Sequence, residues 1–107
     1  MVSKKVLNKE DEQSNDYELV FIISPEVTEE NLDTTIESVR QFITGKGGII
    51  SDVEQWGKRR LAYPIKHFGE GSYVLLRFKL KPGHNKELDA NLNISEDILR
   101  HLLIKLS

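Results

Sequence analysis

The sequence predicts an α+β fold in which one antiparallel sheet is covered by helices on one face. Three observations support this. The chain has 107 residues, 38% of them apolar and 30% charged, which suits a single soluble domain with one core. Segments with the alternation of strands lie on either side of segments with the spacing of helices. Two strand segments follow one another in the middle of the chain, which is typical of an antiparallel hairpin.

The composition excludes several functional classes. The chain contains no cysteine, so disulfide bonds, a thiolate nucleophile and cysteine-ligated zinc are excluded. Residues 19–23 form the longest apolar run, which is too short to span a membrane, and residues 1–16 lack the apolar core of a signal peptide. We therefore expect a cytoplasmic protein without a cofactor.

The N-terminal part of the chain predicts a tail followed by a buried strand. Residues 1–16 are polar and mixed in charge, so they predict a flexible tail, and residues 17–107 predict a single domain. Residues 17–24 are rich in β-branched and aromatic side chains, and Pro25 ends this run. The pattern indicates a strand that is buried on both faces and central in the sheet.

The next segment has the clearest helical pattern. Thr28 is a candidate N-cap, and the two glutamates after it suit the positive end of the helix dipole. Gly45 is expected to end the helix in the left-handed conformation, and Gly47 and Gly48 are expected to turn the chain into the next strand. One face of the helix is apolar and is expected to pack on the sheet; it consists of Leu32, Ile36, Val39, Phe42 and Ile43.

A long hairpin and a second helix are predicted next. Residues 49–66 have strand character, and Pro64 places this strand at a sheet edge, because proline cannot donate a ladder hydrogen bond. Residues 67–72 contain two glycines and predict the hairpin loop. Residues 73–81 alternate as a strand with one apolar face and one mixed, partly basic face. Residues 85–92 predict a shorter helix.

The last segment allows two interpretations. Its apolar residues follow a potential cap at Ser95 at helical spacing, so periodicity alone predicts a third helix. A strand there would complete a two-layer fold that a terminal helix leaves one strand short, and we predict a strand. The apolar residues concerned are Ile98, Leu99, Leu102, Leu103 and Leu106.

The charges are distributed unevenly along the chain. The net charge of the whole chain is -2, but residues 57–81 hold seven lysines and arginines against Glu70 alone, a net +6. The remaining 82 residues therefore carry a net -8. Because phosphate binding depends on where cations lie more than on their total, the basic segment indicates a local contact with a polyanion.

The consecutive cations Lys58, Arg59 and Arg60 have two interpretations. Guanidinium groups bind phosphate oxygens in pairs and a lysine adds a point charge, so the three side chains suit an RNA backbone. Charges on an edge strand also prevent sheets from joining edge to edge, without any ligand. Strand alternation sends Lys58 and Arg60 to one face and Arg59 to the other, so we do not expect all three to serve one purpose.

Other motifs carry weaker signals. An RNA-recognition motif would place several aromatic side chains on the exposed face of its central strands, whereas residues 70–77 offer only Tyr73 there. Residues 45–48 lack the spacing of a phosphate-binding loop. The three histidines are scattered and no nucleophile and base share a motif, so neither a metal site nor a catalytic site is predicted.

Residues 57–66, GKRRLAYPIK, resemble the signature of a known family, the sixth protein of the bacterial small ribosomal subunit. The residues that carry the match are Gly57, Arg59, Leu61, Ala62, Tyr63, Ile65 and Lys66. The resemblance extends from Tyr17 to about Leu106. It implies a ferredoxin-like two-layer sandwich with β-α-β-β-α-β order, in which the last segment is a strand. The four-stranded antiparallel sheet then has the order four, one, three, two, with two helices on one face.

The resemblance also implies a function. It implies a structural protein and not an enzyme, one that pairs with the eighteenth protein of the same subunit. The pair is then expected to bind the central domain of 16S ribosomal RNA during platform assembly. An acidic chain fits this role when a basic partner supplies part of the RNA affinity. The alternative is a ferredoxin-like regulatory or protein-interaction module that does not bind RNA.

We predict two sets of contact residues. The predicted RNA-binding residues are Lys58, Arg59, Arg60, Lys66, Arg77 and Lys79. The predicted partner-binding residues are Trp56, Leu61, Tyr63 and Pro64. Leu61 and Tyr63 also have a simpler interpretation as sheet residues that face the core, and Trp56 as a partly buried sheet residue.

Overall fold

A computed structural model of the protein describes residues 14–106. They form an antiparallel four-stranded sheet in the order β2-β3-β1-β4, with both helices packed on one face. The predicted order of elements and the predicted strand order are both confirmed. The elements are β1 (Asn15–Ile23), α1 (Glu29–Gly45), β2 (Ile49–Ile65), β3 (Phe68–Leu80), a 3₁₀ turn (Pro82–His84), α2 (Asn85–Ile94) and β4 (Ile98–Lys105).

Strand β1 is central, as its apolar sequence predicts. It begins at Asn15, two residues earlier than expected, and pairs with β3 on one side and β4 on the other. Residues 1–13 of the predicted tail lie outside the described residues. One face of β1 packs against the helices, which contribute the other half of the core. The largest fully buried side chains of this core include Leu19, Phe21, Ile43, Leu76, Phe78, Leu88 and Leu92.

The final segment is a strand, so the helix indicated by its periodicity is wrong. Its pairing with β1 runs antiparallel from Tyr17 opposite Lys105 to Ile22 opposite Arg100. Without β4, one side of β1 would leave its backbone groups unpaired beside the core, which is costly. Tertiary pairing therefore overrides the helical spacing of the leucines.

The start and the end of α1 differ in detail from the prediction. Thr28 occupies the N-cap position, but its hydroxyl makes no capping hydrogen bond. Gly45 is the last helical residue, and the left-handed position is Gly47, with φ of 87°. The expectation for Gly45 is wrong because Lys46, with φ of -96° and ψ of 14°, continues the turn before the chain reverses.

The hairpin between β2 and β3 is tighter than the predicted loop of residues 67–72. Ile65 pairs with Phe68, so Lys66 and His67 alone form the turn, with φ angles of 51° and 74°. Positive φ at both central residues is the requirement of a type I′ turn. The two glycines that indicated a loop belong to β3 instead. Gly71 is needed there for a different reason: a Cβ atom would lie 2.5 Å from Cγ2 of Ile22.

Strand β2 lies at an edge of the sheet, as Pro64 predicts. Its pairing with β3 shifts register three times: between Ile50 and Asp52, between Gln55 and Gly57, and between Arg60 and Ile65. Pro64 lies within the last of these irregular stretches, where no ladder hydrogen bond is required of it. Bulges bend an edge strand and re-aim its side chains.

Replacement of Gly71 by alanine is expected to destabilise the protein by about 1–3 kcal/mol, the usual cost of overpacking. The new methyl group would lie 2.5 Å from Cγ2 of Ile22 and 3.0 Å from the carbonyl oxygen of Ile23. Gly69→Ala is the matched control on the same strand, because a Cβ atom there meets nothing within 4 Å. Urea unfolding measures both. Equal destabilisation of the two variants would contradict this packing of the sheet.

Candidate nucleic-acid interface

The sheet has one face that the helices leave open. Alternation places Glu18, Val20 and Ile22 of β1 on this face, because the residues between them pack in the core under the helices. Opposite them in register lie Arg77, Leu75 and Tyr73 of β3 on one side, and Ile104, Leu102 and Arg100 of β4 on the other. The open face therefore runs from an ionic end to an apolar and aromatic end.

A β-bulge brings Trp56 onto the aromatic end of the open face. Gln55 pairs with Val74 and Gly57 with Tyr73, so Trp56 is the extra residue between them, and Gly57 has φ of 86°. The indole stacks on Tyr73 with ring centroids 6.2 Å apart and planes 12° apart. Its Nε1 donates a hydrogen bond of 3.0 Å to Oε1 of Glu54. Trp56 is nevertheless 40% exposed.

The cationic trio divides between the two sides of β2, as alternation predicts. Pairing runs without a register shift from Gly57 to Arg60, so Arg59 points to one side of the strand and its two neighbours point to the other. The Arg59 guanidinium lies over the Trp56 ring, 5.8 Å from its centroid, and its Nε donates to the Trp56 carbonyl oxygen at 3.4 Å. Lys58 lies opposite Ser72 and Arg60 opposite Glu70. All three cations are exposed.

Arg77 is engaged by three carboxylates at the ionic end of the open face. Its Nε donates to Glu18 at 3.0 Å, and its Nη1 donates to Asp52 at 3.0 Å and to Glu54 at 3.3 Å. The hydrogen bond to Glu18 is the main reason that the pKa of Arg77 is raised, and the charges of all three carboxylates act in the same direction. Arg77 is therefore neutralised by carboxylates of the same chain.

Lys79 is also paired with a carboxylate of the same chain. Its Nζ lies 3.0 Å from Oδ1 of Asp16. It also lies far from the trio, because eight residues along β3 separate it from Gly71, the partner of Arg59, a distance of roughly 26 Å. Of the predicted cations, the structure brings together those of β2, and Lys66 lies at the tip of the same hairpin.

The predicted partner-binding residues lie on the last part of β2 but have different environments. Leu61 is only 7% exposed and packs with Ile22 and Leu99. Tyr63 is 59% exposed, and its hydroxyl accepts a hydrogen bond of 3.0 Å from Nη1 of Arg100. Pro64 is exposed. Since Tyr63 and Arg100 belong to opposite edge strands, this part of β2 reaches across the open face.

The last part of β2, residues 61–65, forms an arm over the sheet, and a groove of about 300 Å³ lies beneath this arm. Its floor is formed by Val20, Ile22 and Tyr73, and Leu102 and Arg100 of β4 form its far side. Neither Arg100 nor Leu102 was among the site residues predicted from the sequence. The signal was present, because Arg100, Leu102 and Ile104 alternate along the final strand once the segment is read as a strand.

The part of the chain that the structure describes offers neither a metal site nor a membrane-spanning helix. Residues 14–106 contain no group of three or more histidines or carboxylates arranged to hold a metal ion. Neither described helix is long and apolar enough to cross a membrane.

A family model described as ribosomal protein S6 matches residues 16–105. The chain belongs to the ribosomal protein S6 family. Among curated S6 proteins, that of Clostridium acetobutylicum is 45% identical over 92 residues, covering 86% of this chain and 97% of the relative. That of Dehalococcoides mccartyi strain 195 is 37% identical over 106 residues, covering 99% and 97%. Both relatives bear the name small ribosomal subunit protein bS6.

A solved S6 structure confirms the fold. The crystal structure of 30S ribosomal protein S6 from Thermotoga maritima superposes with a TM-score of 0.84 at 33% identity, covering 88% of this chain and 89% of that one. The resemblance noted from GKRRLAYPIK is therefore confirmed. S6 proteins are structural and non-enzymatic, so family membership also confirms the prediction that the chain is not an enzyme.

Replacement of Arg77 by glutamine is expected to lower stability without weakening RNA binding. The change would leave Glu18, Asp52 and Glu54 close together with no cation between them. The urea midpoint should fall, and the difference should shrink as salt rises, because salt screens exposed charges. Lys81→Gln serves as the control for removal of one exposed cation. A reduced salt dependence of RNA binding by Arg77→Gln would contradict the internal role of this residue.

Proposed function

We propose that this chain is a structural constituent of the small ribosomal subunit in the cytoplasm and binds the central domain of 16S ribosomal RNA. We further propose that it does so together with the eighteenth protein of the subunit. The observation that carries the RNA contact is the group of four cations at the end of the β2–β3 hairpin, Lys58, Arg59, Arg60 and Lys66. Within residues 14–106, none of the four forms an ion pair, in contrast to Arg77 and Lys79.

Free cations at one place suit a phosphate backbone. Cations that carboxylates already neutralise displace few counterions from RNA, whereas unpaired cations are free to neutralise its phosphates. Because Lys58 and Arg60 point to one side of β2 and Arg59 to the other, RNA that follows the strand edge would meet cations on both sides. The same charges also discourage pairing of the edge with another sheet, and the two roles are compatible.

The open face of the sheet has features that suit binding of the proposed protein partner. It carries exposed apolar residues that the fold does not need to expose, and these lie beside the groove under the β2 arm. The carboxylates of Glu18, Asp52 and Glu54 border this surface and favour a basic partner. We propose that the partner covers Tyr63, Pro64, Leu102 and Ile104, and that Leu61 acts only by supporting the arm.

The alternative of a protein-interaction module without RNA uses the same open face. It predicts that the cations of β2 serve only to protect the edge. Mixing the purified chain, the eighteenth protein and a central-domain RNA fragment separates the two proposals. Our proposal requires a ternary complex at low salt, and its absence under these conditions would overturn it.

The double variant Lys58→Ala and Arg60→Ala is expected to flatten the salt dependence of RNA binding by the ternary complex. The slope should fall by about one unit for each phosphate that the protein no longer neutralises. Filter binding over a range of salt concentrations measures it. Lys79→Ala is the control, since Lys79 is paired with Asp16 and lies at the other end of β3. An unchanged slope combined with stronger self-association would assign the trio to edge protection.

Leu102→Asp is expected to weaken binding of the eighteenth protein by about tenfold or more, the cost of disrupting one well-buried position in an interface. Leu102 is 59% exposed on the open face, so the change should leave the fold intact. Ile94→Asp is the matched control, because Ile94 is 78% exposed but belongs to α2 in the helix layer. Isothermal titration calorimetry measures both affinities. Equal weakening by the two variants would place the partner elsewhere.

A further inference from the structure

We propose that Arg59, Trp56 and Tyr73 form a stacking platform for an unpaired nucleobase of RNA. This inference rests on the proposed RNA binding and names an interaction that phosphate recognition alone does not provide. It assigns a base-stacking role to Trp56, which was predicted from the sequence to bind the protein partner, and to Arg59, which was predicted to bind RNA.

The first observation is the backbone feature that exposes Trp56. A register shift between Gln55 and Gly57 makes Trp56 the extra residue of a bulge, and Gly57 adopts φ of 86°, a conformation that other residues avoid. The bulge moves a large apolar side chain onto the exposed face of the sheet. Trp56 is not part of either buried cluster. Bulges that re-aim a side chain are common at sheet edges and next to functional sites.

The second observation is that the three side chains hold one another in place. The Trp56 and Tyr73 rings are nearly parallel, and Tyr73 is half-buried against the cluster of Ile22, Leu61 and Leu99. The hydrogen bond from Trp56 to Glu54 fixes the indole in its plane, and the Arg59 guanidinium lies over the indole ring. A platform that is ordered before binding loses little entropy when a ligand stacks on it.

The third observation is the chemistry of the exposed end of this stack. Aromatic rings and arginine guanidinium planes are the groups on which proteins stack unpaired bases. Arg59 has no carboxylate partner among residues 14–106. The nearby carboxylate of Glu54 already accepts hydrogen bonds from Trp56 and Arg77. Lys58 and Arg60 lie on the same strand edge and supply cations for the adjoining phosphates. An unpaired base with its flanking phosphates matches this arrangement, whereas a base inside a duplex exposes no face.

The fluorescence of Trp56 gives a direct test, because it is the only tryptophan in the chain. The intact protein is titrated at low salt with an adenosine oligoribonucleotide and with an abasic oligomer of the same length and charge. We expect the adenosine oligomer to quench Trp56 and to bind about 5- to 150-fold more tightly than the abasic one, the range typical of one stacked base. Equal affinity and equal quenching by the two oligomers would overturn the platform.

Arg59→Lys tests the guanidinium plane while the charge is kept. We expect this variant to lose most of the preference for the adenosine oligomer and to keep its affinity for the abasic one. Arg60→Lys, on the other side of the strand, is the matched control and should keep the preference. Circular dichroism and urea unfolding confirm that both variants are folded. A preference unchanged by Arg59→Lys overturns the role of Arg59.

Two further outcomes separate this proposal from the proposed function. If neither oligomer binds but the ternary complex with 16S RNA forms, the platform is overturned and the proposed function stands. If Trp56→Ala abolishes binding of the eighteenth protein and leaves both oligomer affinities unchanged, Trp56 belongs to a protein interface and the platform is again overturned.

Discussion

The pairing of β1 on both sides is the constraint on which the rest of the structure depends. Because β3 and β4 both pair with β1, the long β2 strand and β4 become the two edges of the sheet. One face of β1 must be covered by both helices, since its side chains there are fully buried. The opposite face then remains open. The identity of the two edge strands and the open face together determine where each candidate functional residue lies.

The two edges of the sheet differ in their properties. Strand β2 carries bulges, Pro64 and three consecutive cations, which together prevent another strand from pairing with it. Strand β4 has neither a proline nor a run of cations, its pairing with β1 shifts register once, between Ile22 and Ile23, and it presents the apolar residues Leu102 and Ile104 on the open face. This asymmetry favours a polyanion at the charged edge and a protein at the apolar face. The arm of β2 that crosses to Arg100 joins the two surfaces, so binding at one is expected to support the other.

Local sequence features predict the elements but not all of their contacts. Pro64 identifies the edge strand, and alternation correctly separates Arg59 from its neighbours, because both depend on a few adjacent residues. The partners of Arg77 lie 59, 25 and 23 residues away, and no local pattern shows that three carboxylates converge on it. The burial of Leu61 depends on Ile22 and Leu99 in the same way. The bulge at Gly57 had a local signal, since a glycine inside a strand often marks a bulge.

The central claim is that RNA lies along the charged edge of β2 and not over the ionic end of the open face. Ultraviolet crosslinking of the ternary complex, followed by mass spectrometry of the crosslinked peptides, tests it most directly. We expect crosslinks in the part of β2 that contains Trp56 and the cationic trio, with the peptide around Arg77 and Lys79 free of RNA. Crosslinks concentrated at Arg77 and Lys79, with none on β2, would contradict the claim.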